Sequence, residues 1–299
     1  MKHSFRMHRA ILASLPALLP LTLHAQVEYV PESEPAQHRA LWSADHNAAQ
    51  AAWSSSFASA ILARMADSVV VLIEGAPIVR GRAEVERLLN AQRYNPPLQT
   101  TWEPLRVILS RDLTLGVTFG TTLHNRGAAA PIQGRYVSVW QRGPDRNWRI
   151  VAHVQNGLVP QGAVLPDGIA RAKTMDPHDP FADADRAFAQ MARDSTAPAA
   201  FGHFAAPDAV TFGGAEFNIG PGTIRRRMTE NGAGNSSWRW WPVITIAAPS
   251  GDLGATIGEA EITQTGGNAF VSKYLTVWMR QPDGSIRYLV DAGNARPRP

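Results

Sequence analysis

Two ionisable residues sit at equivalent places in near-copies of one hairpin. His153 lies in "RYVSVWQRGPDRNWRIVAHVQN" (135–156), and Asp291 lies in "KYLTVWMRQPDGSIRYLVDAGN" (273–294). A carboxylate or imidazole on a strand, opposite a hydroxyl, can act as a single general base or as a hydrogen-bonding anchor for a ligand. Side chains alternate along a strand, and paired residues share a side. With "PDGS" as the turn, Gln281 pairs with Ile286. One face then carries Tyr274, Thr276, Trp278, Leu289 and Asp291, with Arg280 and Arg287 near the turn. The opposite face carries Leu275, Val277, Met279, Tyr288, Val290 and Ala292. The first copy divides likewise, with Tyr136, Ser138, Trp140, Val151 and His153 against Val137, Val139, Ile150, Ala152 and Val154. Aromatic walls with one polar group suit a small-molecule pocket, so the ligand-binding candidates are Asp291, Thr276, Tyr274, Trp278, His153, Ser138, Tyr136 and Trp140. An Asp opposite a Thr, or a His opposite a Ser, can equally be a satisfied structural pair. Both readings stand at this point.

Other chemistries find little support. Without cysteine there is no thiol nucleophile and no disulfide. Beyond residue 25 the histidines are 38, 46, 124, 153, 178 and 203, and none are spaced as HxH or HxxxH, so no metal or cofactor is expected. "DPHDP" (176–180) reads as a turn, and the glycine-rich "GGAEFNIGPG" (213–222) as a loop. "WRWW" (238–241) offers stacking surface, although tryptophans beside a strand more often pack.

The N-terminus reads as an export signal over residues 1–25. Lys2, Arg6 and Arg9 precede the apolar "AILASLPALLPLTL", and "LHA" precedes Gln26. The stretch is short for a membrane span and is interrupted by Pro16 and Pro20. Setting those three cations aside leaves 26 basic against 25 acidic side chains, which is no footprint for nucleic acid. "RRR" (225–227) fits a solvated helix face. The expectation is a periplasmic or secreted protein, with no membrane insertion after cleavage.

The elements that must position the two hairpins also come twice. At an offset of 140, "ADHNAAQAAWSSSFASAILARMADSVV" (44–70) aligns without a gap on "ADRAFAQMARDSTAPAAFGHFAAPDAV" (184–210). "WEPLRV" then meets "WWPVIT", and from Gly120 the offset settles at 138. Each unit begins with an Ala-rich helix near Asp45 or Asp185, with the acid as candidate N-cap. A short second helix, a strand, a third helix and three further stretches of strand, ending in the hairpin, complete it. The boundaries fall at 38–157 and 183–297, with a Pro- and Gly-containing linker at 158–182.

Helices followed by a run of strands is an α+β order. "GDLGATIGEAEIT" together with "KYLTVWMRQPDGSIRYLVDAGN" resembles the SnoaL-like, DUF4440 branch of the NTF2-like superfamily, and the first unit resembles a more diverged member. The resemblance implies two cones, each a curved antiparallel sheet wrapped around N-terminal helices with a pocket at the open end. It also implies that the aliphatic outer faces could dock sheet to sheet as an intramolecular pseudo-dimer, although stacking on the unit's own helices is an alternative; whole chains could pair further as a homodimer.

That fold hosts enzymes and binding modules alike. In its steroid-isomerase-like members the base sits near the end of the first strand, here around Leu72 and Ile73 or Phe212 and Gly213. Glu74 is one step away and could substitute in the first unit only. The missing acid favours an exported, non-catalytic module that binds a small apolar or aromatic ligand or a protein. The alternative is a SnoaL-like lyase or isomerase using Asp291 or His153 as its single base.

Overall fold

The computed structural model describes residues 35–91, 99–127, 129–157, 179–213, 216–267 and 269–296. Residues 1–25, expected as an export signal, and most of the expected linker lie outside them. The first unit runs α1 (Ala36–Ser54), α2 (Phe57–Leu62), β1 (Met65–Leu72), β2 (Val79–Arg80), α3 (Arg82–Ala91), β3 (Gln99–Leu109), β4 (Leu115–Arg126), β5 (Ala129–Arg142) and β6 (Trp148–Asn156). The second repeats it: α4 (Pro180–Asp194), α5 (Ala197–Phe204), β7 (Ala205–Gly213), β8 (Glu216–Ile219), α6 (Pro221–Glu230), β9 (Ser237–Ala247), β10 (Leu253–Thr263), β11 (Ala269–Arg280) and β12 (Ile286–Ala295).

Each unit is α+β, with a six-stranded sheet ordered β2-β1-β6-β5-β4-β3 or β8-β7-β12-β11-β10-β9. The sheets are mixed, not purely antiparallel as expected, because β1 runs parallel to β6 and β7 parallel to β12. The rest of each unit supplies the long crossover that such a pairing needs. The glycine-rich 213–222 segment, expected as a loop, holds β8; Gly220, at φ 79°, then turns the chain into α6. Arg225, Arg226 and Arg227 lie on the exposed face of α6.

The helices start earlier than expected, and this changes the role of two acids. α4 begins at Pro180, inside the segment read as linker, and its N-cap is Asp179, whose carboxylate accepts from the amides of Phe181 and Ala182. "DPHDP" thus ends in a helix start, and its earlier residues lie outside the described ones. Asp45 and Asp185 are therefore not caps but buried residues within α1 and α4. In unit 1 Asp45 accepts from Trp102 Nε1 and from the Tyr136 hydroxyl, both at 2.7 Å. In unit 2 Asp185 accepts from Trp240 Nε1 at 2.9 Å and from the Tyr274 hydroxyl at 2.8 Å. Each acid thereby ties its helix to two strands of the curved sheet.

The closing hairpins correct the simple alternation. Arg280, not Gln281, pairs with Ile286, and a bulge restores the expected register: Trp278 pairs with Tyr288, while Val277 pairs with Val290. In unit 1 Trp140 pairs with Ile150 and Val139 with Ala152. The extra residues are Leu289 and Val151. Tyr288 and Ile150 consequently join the tryptophan side, opposite to the expected one.

The aliphatic faces of the two sheets meet. Val117, Val137, Val139 and Val154 belong to the same buried cluster as Ala255, Leu275, Val277 and Ala292. Reciprocal polar contacts flank it. Asn156 Nδ2 donates to Gly293 O at 2.7 Å, and Asn294 Nδ2 to Gln155 O at 3.1 Å. At the far end Ser250 N donates to Asp112 and Arg111 N to Asp252. Glu74 also lies at this junction, where it accepts from Ala295 N, and so it is not a substitute base inside a cup. Nearby, fully buried Lys273 donates to Ala295 O; burial lowers its pKa to about 7.

Replacing Asp185 with Ala leaves the Trp240 and Tyr274 donors without their acceptor in a dry interior. A loss of about 2–4 kcal/mol is expected in urea unfolding, and an unchanged midpoint would contradict the role given to this acid.

Candidate functional site

The concave side of unit 2 holds a cavity of about 330 Å³, within the size range of small-molecule sites. Its walls are mainly aromatic: Phe188 from α4, Phe201 from α5, Phe212 from β7, Trp238 and Trp240 from β9, and Phe270 from β11. Phe188 packs edge-on to Phe201 and to Trp240, each with ring centroids 4.7 Å apart, so the walls brace one another. β9 alternation sends Trp238 and Trp240 inward, so the "WRWW" stretch is cavity wall. Next to the cavity a hollow of about 840 Å³ shares Met228, Asn231, Trp238, Ile262 and Phe270 with it, forming a broad mouth.

Asp291 and Thr276 face each other across β11 and β12 and line this cavity; Thr276 Oγ1 donates to Asp291 Oδ2 at 2.6 Å. Asp291 Oδ1 has no hydrogen bond to any described residue. Loss of hydration raises the carboxyl pKa to about 7; the Thr276 bond opposes the rise and the charge of Asp185 adds to it. Burial also lifts Asp185, to about 6, against the pull of the hydrogen bonds it accepts. Among the described residues, the cavity lining includes no Lys, Arg or His. Trp238 Nε1 is buried without a hydrogen-bond partner among those residues.

The other sequence-derived candidates divide. Tyr274 lines the cavity, but its hydroxyl is committed to Asp185. Trp278 stands behind the wall, fully buried, with Nε1 donating to Thr256. In unit 1 Tyr136 and Trp140 are held in the same ways, by Asp45 and by Thr118. Ser138 and His153 pair as expected, with Oγ and Nδ1 2.9 Å apart, while His153 Nε2 has no partner among the described residues. Burial lowers the His153 pKa to about 4, so the ring is neutral at pH 7.

Sequence reasoning missed Phe188, Phe201, Thr211 and Asn218 as lining residues. They come from the helices and from the first two strands of unit 2, and only the folded sheet brings them to Asp291. The parallel pairing of β7 with β12 sets Asp291 opposite Thr211. A carboxyl thus stands beside the end of the first strand, whose own acid, Asp208, is exposed and pairs with Arg106 of unit 1.

No family model matches the chain, and no curated protein matches it. Among solved structures, a ketosteroid isomerase-like protein from Erwinia carotovora atroseptica is 13% identical, with a TM-score of 0.35; the match covers 42% of this chain and 100% of that one. An NTF2-like superfamily protein from Salmonella enterica is 8% identical, with a TM-score of 0.33 and coverage of 40% and 89%. RV0760c from Mycobacterium tuberculosis, solved with estradiol-17beta-hemisuccinate, is 12% identical, with a TM-score of 0.32 and coverage of 39% and 93%. The similarity is to NTF2-like and ketosteroid isomerase-like proteins, each matching about 40% of the chain.

The Asp291 pKa sets a pH dependence. An unfolded aspartate titrates near about 4, whereas the folded one titrates at about 7. The native state therefore binds this proton more tightly. That contribution to stability is complete below the unfolded pKa and is lost as pH rises through the folded one. Asp185 acts in the same direction. Asp291→Asn stays neutral and keeps an acceptor for Thr276, so its melting temperature should depend less on pH. At about pH 8 it should exceed the native protein in stability by on the order of a few kcal/mol. Parallel melting profiles would contradict this assignment.

Proposed function

We propose that the protein is an exported, two-unit binding module whose second unit takes a small, largely apolar or aromatic molecule into the aromatic cavity. Asp291 and Thr276 supply the orienting polar contact. The observation that carries this reading is the unused Asp291 oxygen in a preformed cavity walled by rings. A few convergent polar atoms among apolar surface provide affinity and orientation together. Unit 1 is given a supporting role, pairing with unit 2 within one chain as an intramolecular pseudo-dimer. Export rests on the charged and apolar N-terminal sequence alone.

A second reading is favoured by one feature. A carboxyl with a pKa of about 7 and an open oxygen has the properties of a general base for proton abstraction, as in a lyase or isomerase. Binding without turnover is preferred because several donors of the cavity lining are already engaged: Asn218 Nδ2 with Thr211 Oγ1 at 3.2 Å, the Tyr274 hydroxyl with Asp185, and Asn294 Nδ2 with the backbone of unit 1. Oxyanion stabilisation needs donors preorganised toward the reacting oxygen.

N-phenyl-1-naphthylamine, a neutral aromatic probe that fluoresces in apolar surroundings, tests the binding reading. One probe per chain is expected, with Ser272→Trp, which projects a ring into the cavity, abolishing the signal while circular dichroism stays native. Absence of binding to the native protein, or equal binding by both proteins, would refute the proposal.

A further inference from the structure

The cavity's composition narrows the class of ligand, taking as premise that the cavity is a binding site. Three features converge. Asp291 and Asp185 are the acids at its base; Asp291 lines the cavity directly and Asp185 stands behind Tyr274 and Trp240. No basic side chain among the described residues lines the cavity to neutralise Asp291. Arg186, the cation whose charge reaches Asp185, ion-pairs with Asp183 on the exposed side of α4. The remaining wall presents ring faces and edges from Phe188, Phe201, Phe212, Trp238 and Phe270.

An aromatic enclosure around an uncompensated carboxyl is complementary to a positive charge. The ring quadrupoles attract a cation electrostatically, and a desolvated carboxylate forms its strongest hydrogen bonds with an ionised donor. We propose that this cavity selects an organic cation, a protonated amine carried on a flat apolar frame, with the ammonium at Asp291 Oδ1 and the frame between the aromatic walls. Burial and the nearby Asp185 charge disfavour the ionised carboxyl, and a bound cation would offset both. A neutral ligand would meet the same rings without this charge term, and an anion would be repelled by both acids.

Displacement of N-phenyl-1-naphthylamine at neutral pH reads the preference directly, with three indole probes of similar frame: tryptamine as cation, tryptophol as neutral alcohol and indole-3-propionate as anion. Tryptamine is expected to displace the probe at least about tenfold more effectively than tryptophol, and indole-3-propionate least. Asp291→Asn should remove the tryptamine advantage while leaving tryptophol within about twofold, provided the probe still binds the variant. Should the variant fail to hold the probe, the ranking on the native protein decides. Tryptophol equal to or better than tryptamine, or a tryptamine advantage that survives in Asp291→Asn, overturns the inference. It is overturned too if none of the three displaces a bound probe. In each case the binding reading survives, because N-phenyl-1-naphthylamine itself still occupies the cavity. Loss of native probe binding would instead remove the premise.

Discussion

Two aspartates buried within helices, each accepting from an indole and a phenol on the sheet, are the interaction on which the cups depend. An aspartate inside a helix is an unfavourable choice by propensity, and its burial without a cation is more unfavourable still. The cost is offset by two short hydrogen bonds whose donors sit on different strands, β3 and β5 in unit 1 and β9 and β11 in unit 2. Bonding to both strands fixes how far the helix stands from the sheet. In unit 2 the same clamp aligns Trp240 and Tyr274 as part of the cavity boundary.

The two copies keep this clamp and diverge around it. Where unit 2 has Trp238, Ala260 and Ile262, unit 1 has Thr100, Thr122 and His124. His124 is wholly buried with a threonine hydroxyl at each ring nitrogen, 2.8 and 3.0 Å away. Burial keeps it neutral, with a pKa of about 4. The unit 1 interior is therefore a neutral hydrogen-bonded cluster at positions where unit 2 has rings and open space. The aliphatic sheet faces that meet are common to both units, whereas the ring-lined cavity described above belongs to unit 2.

Much of this architecture was legible in the sequence. The repeated order of elements, and the pairing of Asp291 with Thr276 and of His153 with Ser138, follow from the duplication and from strand alternation. The bulges at Val151 and Leu289 were not legible, because an extra residue changes no local pattern, yet each one turns a large side chain over. Asp45 and Asp185 resembled helix caps because an acid before an Ala-rich run is the usual cap signal. Their indole and phenol partners lie 55 to 91 residues away in sequence, beyond any local reading. The cavity itself depends on non-local packing, since its walls come from two helices and several strands.

The most direct measurement is a carbon-13 NMR titration of the Asp291 side-chain carboxyl in the native protein. The account predicts an apparent pKa of about 7 in the empty cavity. A transition at the ordinary carboxylate value of about 4 would mean that water reaches and solvates the group freely, and the enclosed acidic cup described here would be contradicted.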